Sequence, residues 1–103
     1  MRLTSTQRHL VVSAARRAFG ADVQVRLFGS RLDDRRRGGD IDLYITTALD
    51  DADALVKAKL EFLAELDANA ALAGEKIDVV LNSPLHVVTR AIDQVAQSEG
   101  VRL

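Results

Sequence analysis

The chain contains no cysteine, no tryptophan and a single proline, and its only aromatic residues are three phenylalanines and one tyrosine. The lack of cysteine excludes disulfides and thiolate metal sites and suits a reducing cytoplasm. No excess of one charge is present either. Fourteen basic residues meet fifteen acidic ones, for a net charge of -1. Such a balance offers no general attraction to nucleic acid or to an anionic membrane, so any polyanion contact must be local. No apolar run approaches the ~18 residues of a membrane span. The opening "MRLTSTQRH" has no apolar core of the kind that a secretory leader carries. A cytoplasmic protein without a membrane segment is expected.

What remains is ordinary globular composition, 48% apolar and 28% charged over 103 residues. That length supports one hydrophobic core, and a single domain over residues 1–103 is expected. There is no internal repeat, low-complexity segment or linker.

Thr4 and Gln7 have capping-box spacing, and Leu10, Val11, Ala14, Ala15 and Ala18 recur with helical period up to Gly20. "VQVRLF" alternates at Val23, Val25 and Leu27 and predicts a strand that runs into Gly29-Ser30. "DIDLYI" alternates again, with Ile41, Leu43 and Ile45 on one face and Asp40, Asp42 and Tyr44 on the other. Asp50 or Asp51 caps a long helix predicted through about Ala73, with a wide apolar stripe at Leu55, Val56, Leu60, Phe62, Leu63 and Leu66. "KIDVVL" is a third strand that sets Asp78 and Val80 opposite Ile77, Val79 and Leu81. Ser83-Pro84 predicts a last helix whose stripe is Leu85, Val88, Ile92, Val95 and Ala96, ending at Gly100. The order α-β-β-α-β-α implies an α/β (α+β) fold, a small mixed sheet with helices packed on it.

Asp40 and Asp42 are the anomaly in this pattern. They lie on one face of a strand, roughly 7 Å apart along the chain. Unpartnered buried carboxylates cost several kcal/mol, so a cation between them is the natural compensation. Mg²⁺ suits such a place, because it takes hard oxygen ligands and is commonly held by one or two carboxylates and substrate phosphates. If the third strand lies beside the second, Asp78 reaches the same point. Carboxylates that hold two metals are a recurring device for phosphoryl and nucleotidyl transfer. The plainer reading is an edge strand kept soluble by its acids. Gly29-Ser30, where a strand stops, offers close backbone approach and hydrogen-bond donors to a phosphate, or simply a turn. No Walker A sequence is present.

Gly29-Ser30, nine residues, Asp40-Ile41-Asp42 and a later Asp78 in a strand together resemble the nucleotidyltransferase superfamily related to DNA polymerase beta. The similarity is greatest to its minimal, MNT-type members, which are often paired with a HEPN-domain protein as antitoxin and toxin. Most of the match lies between Leu27 and Ile45, while the outline of the minimal domain covers nearly the whole chain. The resemblance implies that Gly29 and Ser30 hold the β- and γ-phosphates of a nucleoside triphosphate such as ATP; Arg31, next to Ser30, reads either as a further phosphate contact or as a solvated surface arginine. The resemblance also implies that Asp40 and Asp42 bind two Mg²⁺ ions, and that Asp78 binds the catalytic metal and helps to deprotonate the attacking hydroxyl. AMP would pass to a hydroxyl, with a HEPN partner as the plausible acceptor, and pyrophosphate would leave. The loop departs from the family pattern: it is one residue shorter than in many members, and Asp34, beside Asp33, stands where many have glycine.

Arg35, Arg36 and Arg37 read either as a triphosphate contact or as a solvated loop offset by Asp33 and Asp34. His9 and His86 have no second ligand at metal-binding spacing and read as surface residues, and Tyr44 reads as packing at the site's edge. The chain carries no extra helical domain to shape an acceptor pocket, so a partner or a second copy is expected to complete the site. Two functions therefore stand side by side: a Mg²⁺-dependent nucleotidyltransferase, and an antitoxin-like binding module that neutralises a partner by contact. Transfer to a small molecule or an RNA end is a third, without an evident acceptor pocket or basic groove.

Overall fold

The computed structural model describes residues 2–33 and 39–103, so Asp34, the three arginines at 35–37 and Gly38 lie outside the described residues. Helix α1 (Ser5–Phe19) begins where the sequence predicts. Thr4 Oγ1 accepts from the Gln7 backbone N–H at 3.0 Å, and Gln7 Oε1 accepts from the Thr4 N–H at 3.1 Å. This reciprocal cap is worth about 1 kcal/mol. The helix stops at Gly20, whose positive φ of 107° an L side chain rarely adopts.

Strands β1 (Gln24–Phe28), β2 (Ile41–Thr46), β3 (Ile77–Asn82) and β4 (Val101–Arg102) form one sheet in the order β3-β2-β1-β4. β1 runs antiparallel to β2 and β4, whereas β2 and β3 are parallel. A parallel neighbour needs a crossover, which helix α2 (Ala52–Asp67) supplies. Among the described residues the result is three helices on a four-stranded mixed sheet, which keeps the predicted order α-β-β-α-β-α and adds a 3₁₀ turn after β1 and a short strand at the end. No helix among them is long and apolar enough to cross a membrane.

The alternation read from the sequence assigns the two faces correctly. Val25, Leu27, Ile41, Leu43 and Ile45 are buried against Val11, Ala14, Ala15 and Phe19 of α1 and Ala58, Phe62 and Leu66 of α2. Each large side chain buried there contributes roughly 1.5–3 kcal/mol. Phe19 and Phe62 meet edge to face, with centroids 5.8 Å apart. The second face carries Arg26, Phe28, Asp42, Tyr44, Asp78 and Val80. Helix α3 (Ala91–Glu99) covers only part of it, packing Ala96 and Ile92 on Phe28, Tyr44 and Val80.

Three expectations are corrected. α2 ends at Asp67 rather than near Ala73, because Asn69 turns the chain. Its side chain donates to Glu65 O at 2.8 Å and its backbone N–H to Leu66 O, and the turns that follow drop Leu72 into the core. An aspartate at a helix C-terminus also opposes the helix dipole. The last helix begins at Ala91, not at Ser83-Pro84. Ser83 Oγ accepts from Leu85 N–H and Ser83 O from His86 N–H, so the serine closes a local turn instead. Leu85 and Val88, expected in a buried stripe, are 47% and 72% exposed. Finally, the C-terminal residues form β4, too short for alternation to reveal. Leu103 N–H donates to Val25 O, and Arg26 Nη1 to Gly100 O.

Candidate active site at the carboxylate end of the sheet

The parallel register of β2 and β3 sets Asp42 directly beside Asp78. Adjacent strands are ~4.8 Å apart and side chains alternate, so both carboxylates rise from the second face as neighbours. Asp40 precedes β2 by one residue and has the same parity. All three sequence-predicted aspartates are thus on one face, at the end that α3 leaves open.

On the other side of β2, Phe28 of β1 is the register partner of Asp42, and Gly29 follows it at once with a φ of 77°. A Cβ at Gly29 would overlap Asp42 Oδ2 and lie 3.2 Å from its carboxyl carbon. The Asp42 carboxylate therefore rests over the bare Cα of Gly29, at the first turn of the 3₁₀ helix Gly29–Leu32 that also contains Ser30. Glycine is required here on both counts, conformation and space.

The electrostatics follow from the geometry. The pKa of Asp42 is raised above the ordinary carboxylate value, first by burial and then by the negative charges of Asp78 and Asp40; Lys76 pulls it the other way. Lys76 Nζ lies 3.5 Å from Asp40 Oδ2. It is the residue in line with Asp40 when the β2–β3 register is extended by one position, and its carbonyl accepts from Ile41 N–H at 2.9 Å. The reading from sequence missed this lysine, although the same register that places Asp78 also places it.

Arg31 is committed to the protein. Its side chain donates to Glu75 Oε2 at 2.5 Å, to Arg2 O at 3.1 Å and to Gly39 O at 3.2 Å, and it is only 11% exposed. The guanidinium thereby ties the turn before β3 to the N-terminal segment at Arg2 and to Gly39, just before Asp40. These bonds use three of the five guanidinium N–H groups.

Behind the aspartates lies a second polar group that the sequence reading also missed. Tyr44 Oη donates to Asp93 Oδ1 at 2.8 Å and accepts from Gln97 Nε2 at 3.3 Å. Arg90 donates to Asp93 through Nη2 at 2.9 Å and through Nε at 3.2 Å, and the Arg90 backbone N–H adds a bond of 2.6 Å. These donors hold the Asp93 carboxyl well below the usual carboxylate range. Tyr44 is pushed up, by burial first and then by Asp93. The spacing Arg90 to Asp93 at a helix start was the available signal. Tyr44 packs at the edge of the site, as the sequence reading has it.

Three carboxylates form an oxygen-only donor set, which fits a hard cation such as Mg²⁺. Among the described residues, however, no group of three acidic, histidine or cysteine side chains is already gathered so as to hold a metal ion. The aspartates share a face without converging on a point. His9 and His86 take no part in this cluster: His86 Nδ1 accepts from Ser83 N–H at 3.2 Å. Comparison with protein-family models, with curated proteins and with solved structures found no match.

Proposed function

We propose that this chain is a Mg²⁺-dependent nucleotidyltransferase that moves AMP from ATP to a hydroxyl, with a HEPN-class protein as the acceptor. The observation that carries the proposal is the register of Asp42 on Asp78, on the face of Asp40 and over Gly29. The same face is apolar at Phe28, Tyr44 and Val80 where α3 covers it, and it carries the three acids and the glycine recess where α3 does not.

In this reading Asp40, Asp42 and Asp78 are the ligands of two Mg²⁺ ions, which when bound neutralise charge on both sides of an in-line displacement at phosphorus. Gly29 and Ser30 present backbone N–H groups to the β- and γ-phosphates at the start of the 3₁₀ helix. Asp78, the most exposed of the three, accepts the proton of the attacking hydroxyl. The hydroxyl oxygen bonds to the α-phosphorus, the bond to the bridging oxygen breaks, and its electron pair leaves with pyrophosphate.

The alternative is an antitoxin-like module that acts by contact alone. The uncollected carboxylates and the shortened loop, with Asp34 where many family members have glycine, favour it. Intact-mass measurement of a HEPN-class partner after incubation with ATP, Mg²⁺ and this protein separates the two. The proposal expects a gain of one or more AMP units that Asp42→Asn abolishes. A tight complex with unchanged mass supports the contact module instead.

A further inference from the structure

We infer that Lys76 is a substrate-binding residue: its ammonium leaves Asp40 when the site is loaded and binds the α-phosphate of the nucleoside triphosphate. The inference deepens the nucleotidyl-transfer reading and rests on it.

The register of β2 on β3 pairs Ile41 with Ile77 and Asp42 with Asp78, and one position earlier it sets Asp40 against Lys76. The ladder does continue that far, since Ile41 N–H donates to Lys76 O at 2.9 Å. Lys76 has the parity of Asp78, so it rises from the same face as the three aspartates. Its Nζ lies 3.5 Å from Asp40 Oδ2, its one ion pair among the described residues. The lysine side chain is 74% exposed. An exposed pair between flexible side chains contributes little to stability, so the ammonium can change partners at small cost. Arg31 is placed differently, for it is 11% exposed and already bonded to Glu75, Arg2 and Gly39.

Asp40 cannot serve both Lys76 and a dication. Once Asp40 ligates a metal ion, the ammonium faces a like charge where it had an opposite one, and it needs another anion within reach. The triphosphate is that anion. Balanced against its own dications, it leaves the three carboxylates uncompensated, so a cation at this place is also what the loaded site lacks.

The sheet decides which phosphate is met. Gly29, at the end of β1, lies on one side of β2, and Lys76 and Asp78 lie on the other. Two strand spacings, roughly 10 Å at the backbone, separate the glycine turn from Lys76. With the β- and γ-phosphates over Gly29 and Ser30, the α-phosphate is the one that extends across β2 toward Asp78 and Lys76. The flexible four-carbon stem of lysine lets its charge follow that group.

Calorimetric titration of three probes into wild type, Lys76→Met and Lys76→Arg tests the assignment. The probes are Mn²⁺ alone, pyrophosphate with Mg²⁺, and α,β-methylene ATP with Mg²⁺. Lys76→Met should bind Mn²⁺ more tightly, because a competing charge is gone, yet bind the ATP analogue roughly tenfold more weakly. Pyrophosphate fills only the β- and γ-positions, so its affinity should not fall. Lys76→Arg should retain most of the affinity for the analogue. A lysine that only competes with cations would make Lys76→Met tighter for all three probes. That result, or an unchanged affinity for the analogue, overturns the inference and leaves the nucleotidyl-transfer reading in place. An equal loss with pyrophosphate overturns the assignment to the α-phosphate. Failure of the wild type to bind the analogue overturns both the inference and the reading beneath it.

Discussion

The carboxylate of Asp42 occupies the space that a side chain at position 29 would need, because Gly29 and Asp42 approach across the β1–β2 pair. Gly29→Ala must therefore both force an L residue into a left-handed conformation and push the carboxylate aside. The expected cost is about 1–3 kcal/mol of stability, measured by urea denaturation. Mg²⁺-dependent nucleotide binding should fall with it, while Gly74→Ala, which has a similar positive φ but open space around it, should lose stability alone.

Asp42 carries an electrostatic penalty in the metal-free protein. Its folded pKa is raised, so the folded state holds its proton more tightly than the unfolded state does. Stability is then lost as pH rises through the folded pKa, and the penalty persists at neutral pH. Asp42→Asn should raise the metal-free Tm at pH 7 by about 2–5 °C, a range reduced for solvent screening. The advantage over wild type should disappear as pH falls to the ordinary carboxylate range, a comparison that thermal melts at both pH values provide.

Asp93 behaves in the opposite sense. Its folded pKa is depressed by Arg90 and Tyr44, so it stabilises the fold above the unfolded carboxylate value and loses that contribution as pH falls through the folded one. Asp93→Asn should lower Tm at pH 7 and flatten the acid limb of the stability profile below about pH 4. Tyr44→Phe removes the buried hydrogen bond to Asp93 and the weaker, partly buried one from Gln97, for about 1 kcal/mol or more, roughly 4–8 °C or more in Tm.

Lys76 is the resident positive charge beside Asp40, and it competes with any added cation for the same field. Lys76→Met should tighten Mn²⁺ or Mg²⁺ binding by roughly three- to tenfold at low ionic strength. The difference should shrink at high salt, where exposed charges are screened. Calorimetric titration at two salt concentrations measures both.

Much of this architecture is legible in the sequence, and the exceptions have physical causes. Alternation at Ile41, Leu43 and Ile45 fixes the buried face of β2 and hence the direction of Asp40 and Asp42. It also says that Asp78 can join them, but only the parallel register says that it stands beside Asp42. Ser83-Pro84 reads as a helix start because the same residues open turns, and the choice between the two is made further along, by Asp93 capping Arg90. Arg31 illustrates the same limit. Its position after Ser30 points to a phosphate, whereas its bonds to Glu75 and Arg2 depend on residues distant in sequence.

The wide stripe on α2 is a case of partial legibility. Leu55, Phe62 and Leu66 are core, as helical spacing implies, while Val56 and Leu60 remain exposed. Periodicity identifies an apolar face wider than one sheet covers, and only the fold shows that its surplus flank adjoins the edge of β3.

The most direct test of the central claim is a calorimetric titration of a non-hydrolysable ATP analogue into wild-type protein and into the Asp40→Asn, Asp42→Asn double variant, with and without Mg²⁺. The account predicts binding by the wild type that requires Mg²⁺, and none by the double variant, whose circular dichroism spectrum is unchanged. Mg²⁺-dependent binding retained by the double variant would contradict the assignment of these aspartates as the metal site.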